Sequence, residues 1–138
     1  MNVRDYMKSP VFTVTPDTLI DNALETMREK HVRRLPVVEN GKLVGLVTRN
    51  IIREATPSLP TPLTLWGFHH QLSCMKVRDV MITDVIVVHP DDTIKDVVAI
   101  TEKHRIGTFP VVDDNGNLVG ILTSTDLLHI MNKLLDLV

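Results

Sequence analysis

The sequence predicts an α/β protein: two tandem βαββα halves that pack with pseudo-two-fold symmetry into one module. Three observations carry this. First, the chain repeats itself. Val3-Arg4-Asp5-Tyr6-Met7 returns as Val77-Arg78-Asp79-Val80-Met81, and Leu35-Pro36-Val37-Val38 returns as Phe109-Pro110-Val111-Val112. The register holds at an offset of 74 from Val3 to Asn40 and becomes 75 after one inserted residue, Asn115. Second, each copy runs through the same alternation of helical and strand periodicity. Third, each copy is too short to bury its apolar face alone, so the two are expected to pack together and form two related clefts, where small ligands bind.

The elements follow in order. Val11-Phe12-Thr13-Val14 is extended and closes at Pro16-Asp17. Thr18 is the expected N-cap, with Asp21 three residues on. Ile20, Ala23, Leu24 and Met27 then recur at helical spacing, and the helix fades near Lys30-His31. Leu35 to Val38 reads as a short buried strand whose proline implies an edge or starting position. Asn40-Gly41 is a hairpin turn, Leu43 to Thr48 the returning strand, and a short helix follows through Ile51, Ile52 and Arg53. In the second copy, Val85 to Val88 is extended and Pro90-Asp91 ends it. Thr93 caps a helix with Asp96 in its first turn and Ile94, Val97, Val98 and Thr101 on one face. Phe109 to Val112 and Leu118 to Thr123 pair across Asp113-Asp114-Asn115-Gly116, and a last helix runs from about Thr125 to Leu137. Between the copies, Thr56 to Pro62 is a proline-rich loop, and Thr61-Pro62 opens a linker helix with Leu65, Phe68 or His69, Leu72 and Met75 as its stripe. The expected organisation is a first domain over 1–60, a linker helix over 61–76 and a second domain over 77–138.

Composition narrows the function. The 138 residues are 43% hydrophobic and 23% charged, ordinary for a soluble globular chain. A formal charge of −2 gives no basic footprint for nucleic acid. No apolar stretch approaches the roughly 18 residues of a membrane span, and the first residues lack the apolar core of a signal peptide. Cys74 is the only cysteine, so an internal disulfide is excluded and a cytoplasmic location is expected. The six histidines are scattered, and His69-His70 are neighbours rather than an i, i+4 pair, so no metal site is expected. Phosphate-loop, nucleophile-elbow and dinucleotide motifs are missing from the sequence.

The sharpest chemical element is Gly120-Ile121-Leu122-Thr123-Ser124-Thr125-Asp126, a strand that ends where a helix begins. Thr123, Ser124 and Thr125 place hydroxyls and free N–H groups at a helix N-terminus, which suits a phosphate. Asp126, in the first turn, can accept two hydrogen bonds from a ribose diol. The alternative for each residue is a helix cap alone. The matching stretch Gly45-Leu46-Val47-Thr48-Arg49-Asn50-Ile51 has Ile51 where Asp126 stands, so one competent and one degenerate site are expected.

These residues resemble a known family. The duplicated Val-Arg-Asp-x-Met segment, the Pro-Asp turns, Arg33-Arg34-Leu35-Pro36-Val37-Val38 and Gly120 to Asp126 are together similar to a tandem pair of cystathionine-β-synthase (CBS) domains, a Bateman module. The linker is similar to that of stand-alone, acetoin-utilisation-associated members. The resemblance implies an adenosine-containing ligand: AMP, ADP, ATP or S-adenosylmethionine, with no required cofactor. It also implies clefts built from both halves. In the competent cleft, Thr123, Ser124, Thr125 and Asp126 would meet Ser9, Pro10, Val11 and Phe12 along the adenine. Val32, Arg33, Arg34 and Pro36 would form a further wall, with an arginine near phosphate. The degenerate cleft would use Thr48, Thr83, Asp84, Val85, Ile106, Gly107 and Thr108.

The last helix carries more apolar residues than one buried stripe needs, among them Leu127, Met131 and Leu134. A homodimer through this helix is expected, the alternative being packing on the linker helix. The function expected is regulatory nucleotide binding read out by a partner protein, not catalysis, because few titratable groups converge. The rival is a dimeric interaction scaffold that binds no nucleotide. An RNA-binding role is disfavoured by the acidic balance.

Overall fold

The computed structural model describes residues 1–55 and 74–138. The expected linker helix over 61–76, with Leu65, Phe68, His69 and Leu72, falls almost wholly outside the described residues. The chain divides into two compact units. A terminal unit combines Met1–Val11 with Ile86–Val138, and a central unit spans Phe12–Val85. The units cut across the repeat, because the Val-Arg-Asp segment that opens each copy packs with the body of the other copy.

In the central unit, α1 (Ile20–Glu29) buries Ile20, Ala23 and Met27, the 3.6-residue stripe. Its N-cap is Leu19 rather than Thr18. Thr18 Oγ1 instead accepts the Thr15 N–H at 3.0 Å, closing the Pro16-Asp17 turn. β1 (Arg34–Glu39) and β2 (Lys42–Thr48) form an antiparallel hairpin with a bulge at Val37/Val38. Asn40 and Gly41 both adopt positive φ, 53° and 80°, as a two-residue hairpin turn demands. Pro36 lies inside β1, not at its start. Its carbonyl accepts the Val14 N–H at 3.1 Å, so its backbone polar groups face away from β2 and the missing N–H costs the hairpin ladder nothing. The extended stretch Val11–Val14 contributes only a single parallel bridge, Val14 to Val37. α2 (Arg49–Ala55) follows β2 directly and buries Ile52. Val77–Asp79 forms a 3-10 turn, with Val77 N–H on the Thr18 carbonyl and Ile82 bridged to Leu46. Arg78 donates to Asp17 Oδ1 from Nε at 3.1 Å and from its terminal nitrogen at 2.5 Å. That hydrogen bond, joined by the charges of Arg78 and Lys76, holds the Asp17 carboxyl below its ordinary range.

The terminal unit repeats the plan. The Val3–Asp5 turn places Val3 N–H on the Asp92 carbonyl. Arg4 pairs with Asp91 as Arg78 does with Asp17. α3 (Ile94–His104) is capped by Thr93, whose hydroxyl accepts the Asp96 N–H at 3.1 Å. β3 (Thr108–Val112) and β4 (Leu118–Thr123) pair antiparallel. In their turn the Asp113 carboxylate accepts the N–H groups of Asn115 and Asn117, both at 2.9 Å. α4 (Ser124–Leu135) is the last element. The two cores use matching positions: Val14, Ile20, Leu35 and Val37 in one, Val88, Ile94, Phe109 and Val111 in the other.

Candidate ligand site

β4 hands over directly to α4 at Thr123, whose extended backbone lets the chain turn into the helix. Asp126, three residues on, reaches back across the first turn. Its Oδ2 accepts the Thr123 N–H at 2.9 Å and the Thr123 hydroxyl at 3.1 Å. Its Oδ1 stands 3.4 Å from the Lys8 ammonium. The Asp126 side chain is only 12% exposed and Lys8 66%. The carboxylate therefore differs from the expectation of two open acceptors. Oδ2 already holds two donors, and the open lone pairs belong to Oδ1, beside a lysine.

Lys8 is held there by backbone. Its N–H donates to the Ile121 carbonyl at 2.9 Å, and its carbonyl accepts the Ile121 N–H at 3.0 Å. The crossing strand segment leaves no room over Gly120, where a Cβ would fall 2.6 Å from Met7 Sδ and 3.1 Å from the Lys8 carbonyl oxygen. The close approach that this glycine permits is thus made by the chain itself. Ser9, Pro10 and Val11 continue from Lys8 in the same unit, Ser9 and Pro10 exposed and Val11 half-buried.

The Ser124 N–H donates to the Gly107 carbonyl at 2.8 Å. Ile106, Gly107 and Thr108, expected in the degenerate cleft, therefore stand beside Thr123 and Ser124 in the terminal unit. Thr108 pairs with Thr123 across the hairpin and is buried, and its hydroxyl has no hydrogen-bond partner among the described residues. Such an orphan hydroxyl is unusual. Thr125 is exposed on the first turn of α4.

The remaining expected residues lie in the central unit. Thr48 Oγ1 accepts the Ile51 N–H at 3.1 Å, an ordinary cap that Ile51 cannot reciprocate. The Arg49 N–H donates to the Arg33 carbonyl at 2.9 Å, and Arg34 pairs with Thr48. Val32 lines a cavity of about 270 Å³ with Leu24, Met27, Arg28 and Arg49. Phe12 is exposed, with the Lys30 ammonium 5.1 Å from its ring centroid. Pro36 is buried in β1, Thr83 and Asp84 are exposed, and Val85 is half-buried.

Lys8 is the site residue that sequence reasoning passed over. A signal existed in the repeat: the position of Lys8 becomes Ile82 in the second copy, and that of Asp126 is Ile51 in the first. Both members of the ion pair are isoleucine in the central unit.

Among the described residues, no group of three His, Cys, Asp or Glu could hold a metal ion, and no helix is long and apolar enough to cross a membrane. α3 and α4 flank an apolar groove of about 450 Å³, lined by Ile94, Val98, Leu127, Ile130, Met131 and Leu134 among others. Only Ile130 of the α4 side chains is buried; Leu128, Met131, Leu134 and Leu135 are exposed.

A family model for the CBS domain matches residues 3–58 and again 77–133. The chain belongs to the CBS-domain family. This CBS pair is 33% identical over 132 residues to one uncharacterized protein of Methanocaldococcus jannaschii, spanning 40% of that protein's length. It is 34% identical over 152 residues to a second from the same organism, covering 94% of this chain and 90% of the relative. Solved structures of similar fold include a candidate acetoin utilization protein (AcuB) from Vibrio cholerae, at TM-score 0.81 and 29% identity over 99% of this chain and 94% of that one. CBSX2 of Arabidopsis thaliana, solved in complex with AMP, has TM-score 0.80 and 27% identity over 96% and 97% of the two chains. The CBS pair of protein MJ0100, in complex with 5′-methylthioadenosine and S-adenosyl-L-methionine, has TM-score 0.79 and 27% identity over 96% and 97%. The resemblance to a tandem pair of CBS domains, read from the duplicated motifs, agrees with these matches.

Proposed function

We propose that this CBS pair is a regulatory module that binds an adenosine-containing small molecule at Thr123–Asp126, with AMP, ADP, ATP and S-adenosylmethionine as the candidates. The observation that carries the reading is the Asp126 carboxylate, nearly buried at a strand-to-helix junction, whose Oδ1 accepts no hydrogen bond from the helix start and faces only the exposed, displaceable Lys8 ammonium. A fold that holds AMP in one similar protein and S-adenosylmethionine in another supports the ligand class. Ser124 and Thr125, exposed on the first turn of α4, supply hydroxyls for phosphate, and Asp126 supplies an acceptor for ribose. The first copy's Thr48-x-x-Ile51 lacks that acceptor, so one site is competent. Catalysis forms no part of this reading. Binding acts by favouring one arrangement of the module over another, read by a partner protein in the cytoplasm. A homodimer through Leu127, Met131 and Leu134 of α4 belongs to the same proposal.

Thermal unfolding against the four ligands, beside Asp126→Asn, tests it. A ligand at about 100 times its Kd adds roughly 2.7 kcal/mol, seen as a melting shift of several degrees. A shift lost in Asp126→Asn supports the reading. No shift with any of the four at millimolar concentration removes it and leaves the second reading, an interaction scaffold. The exposed apolar face of α4 favours that alternative.

A further inference from the structure

We infer that Lys8 selects the charge class of the ligand: its ammonium guards Asp126 in the free protein and makes the site favour an adenosine derivative with an anionic tail over a neutral or cationic one. This rests on the proposed adenosine site and assigns a specificity residue within it.

The argument begins with the acceptors of Asp126. Oδ2 is occupied by both donors of Thr123, so a ribose hydroxyl must approach Oδ1. Lys8 Nζ stands 3.4 Å from that atom. A hydroxyl that takes its place withdraws the carboxylate from the ammonium but cannot remove the ammonium far. The Lys8 backbone stays bridged to Ile121, two residues before Thr123 on β4, and Met7 stays pressed over Gly120. The displaced charge thus remains within one side-chain length of the first turn of α4. An anionic tail recovers the lost ion pair through a charge-assisted hydrogen bond. A neutral ligand leaves the ammonium to water alone, with no counter-charge in place of the carboxylate, and a sulfonium ligand adds a second positive charge beside it.

The repeat offers an internal comparison. Where Lys8 and Asp126 stand in the terminal unit, Ile82 and Ile51 stand at the matching positions of the central unit. Ile82 makes the same backbone bridge, to Leu46, so that geometry is kept without any charge. The bridge therefore does not require a lysine. The two charges occur together in one unit and are missing together from the other, which fits a pair with one shared task.

The test is titration calorimetry of AMP, adenosine and S-adenosylmethionine on the wild-type chain, Lys8→Met and Lys8→Arg. Lys8 is exposed and bridges through its backbone, so both variants retain the fold, checked by far-UV circular dichroism. The wild type is expected to prefer AMP over adenosine by about tenfold or more, the value of one charge-assisted hydrogen bond. Lys8→Met should bring the two affinities within about threefold, at most about half of that bond's worth, with adenosine and S-adenosylmethionine binding as tightly as before or tighter. Lys8→Arg should restore the preference. An AMP-to-adenosine ratio that is the same in wild type and Lys8→Met overturns the assignment of Lys8 while leaving the adenosine site standing. Failure of all three compounds, and of ADP and ATP titrated beside them, to bind the wild type overturns both.

Discussion

Adding one methyl group at Gly120 probes the contact that places Lys8 beside Asp126. The Cβ of Gly120→Ala would lie 2.6 Å from Met7 Sδ, 3.0 Å from Met7 Cγ and 3.1 Å from the Lys8 carbonyl oxygen. Unstrained carbon contacts sit at about 3.5–4.0 Å. The sulfur can swing aside, but the carbonyl accepts the Ile121 N–H at 3.0 Å and the Lys8 N–H donates to the Ile121 carbonyl at 2.9 Å, so this backbone is held on both sides. The Met7–Lys8 segment must therefore shift by several tenths of an ångström, at an overpacking cost of about 1–3 kcal/mol. For a chain of this size that lowers the melting temperature by roughly 3–12 °C. Met7→Ala removes Sδ and Cγ and leaves only the carbonyl contact. Gly120→Ala should then cost less in the Met7→Ala background, with a coupling of about 1 kcal/mol. Urea denaturation of the wild type, both single variants and the double variant gives all four free energies. Gly116→Ala is the control: nothing lies within 4 Å, and only the strain of φ +85° applies. A Gly120→Ala cost within about 0.5 kcal/mol of zero, or strict additivity with Met7→Ala, would refute the packing argument.

Three further outcomes are expected. Asp17 has a lowered pKa because Arg78 donates to it, so its contribution to stability is fully present above the unfolded value of 3.8 and is lost as pH falls through the depressed folded value. The difference in urea midpoint between wild type and Arg78→Met should be constant down to about pH 5 and shrink below it; a difference unchanged at pH 3 counts against the ion pair. His31 and Arg105 occupy matching positions with φ of 55° and 54°, in the left-handed region. His31→Gly and Arg105→Gly should each stabilise by up to about 1 kcal/mol, left-handed strain exceeding the entropy cost of glycine, and a lower melting temperature in both would contradict this. Met131→Glu with Leu134→Glu should convert a dimer to a monomer in size-exclusion chromatography with light scattering, at unchanged helix content; an unchanged mass removes α4 from the interface.

The sequence by itself determined what depends on local chemistry and on the repeat. Short apolar runs on either side of turn residues located the hairpins, and Asn40-Gly41 specified a tight turn because both positions take positive φ. Thr93 and Asp96 marked a helix start because the hydroxyl reaches an N–H three residues on. The duplication gave the family, and the contrast of Asp126 with Ile51 marked one copy as chemically richer. Tertiary structure decided the rest. Thr18 looked like a cap equal to Thr93, yet its hydroxyl serves the Thr15 turn, because two acceptable partners compete and local spacing cannot rank them. Pro36 fitted either an edge strand or a strand start; it lies inside β1, an edge strand of a two-stranded sheet, with its backbone turned away from β2 toward Val14. The compact units cross the repeat boundary, since Val3 and Val77 find their hydrogen-bond partners more than 50 residues away in the chain. Lys8 lies 118 residues from Asp126, and no periodicity links positions so far apart. Only the backbone bridge to Ile121 brings that charge to the carboxylate, which is why Thr123 and Asp126 stood out in the sequence as a strand-to-helix motif and the lysine beside them did not.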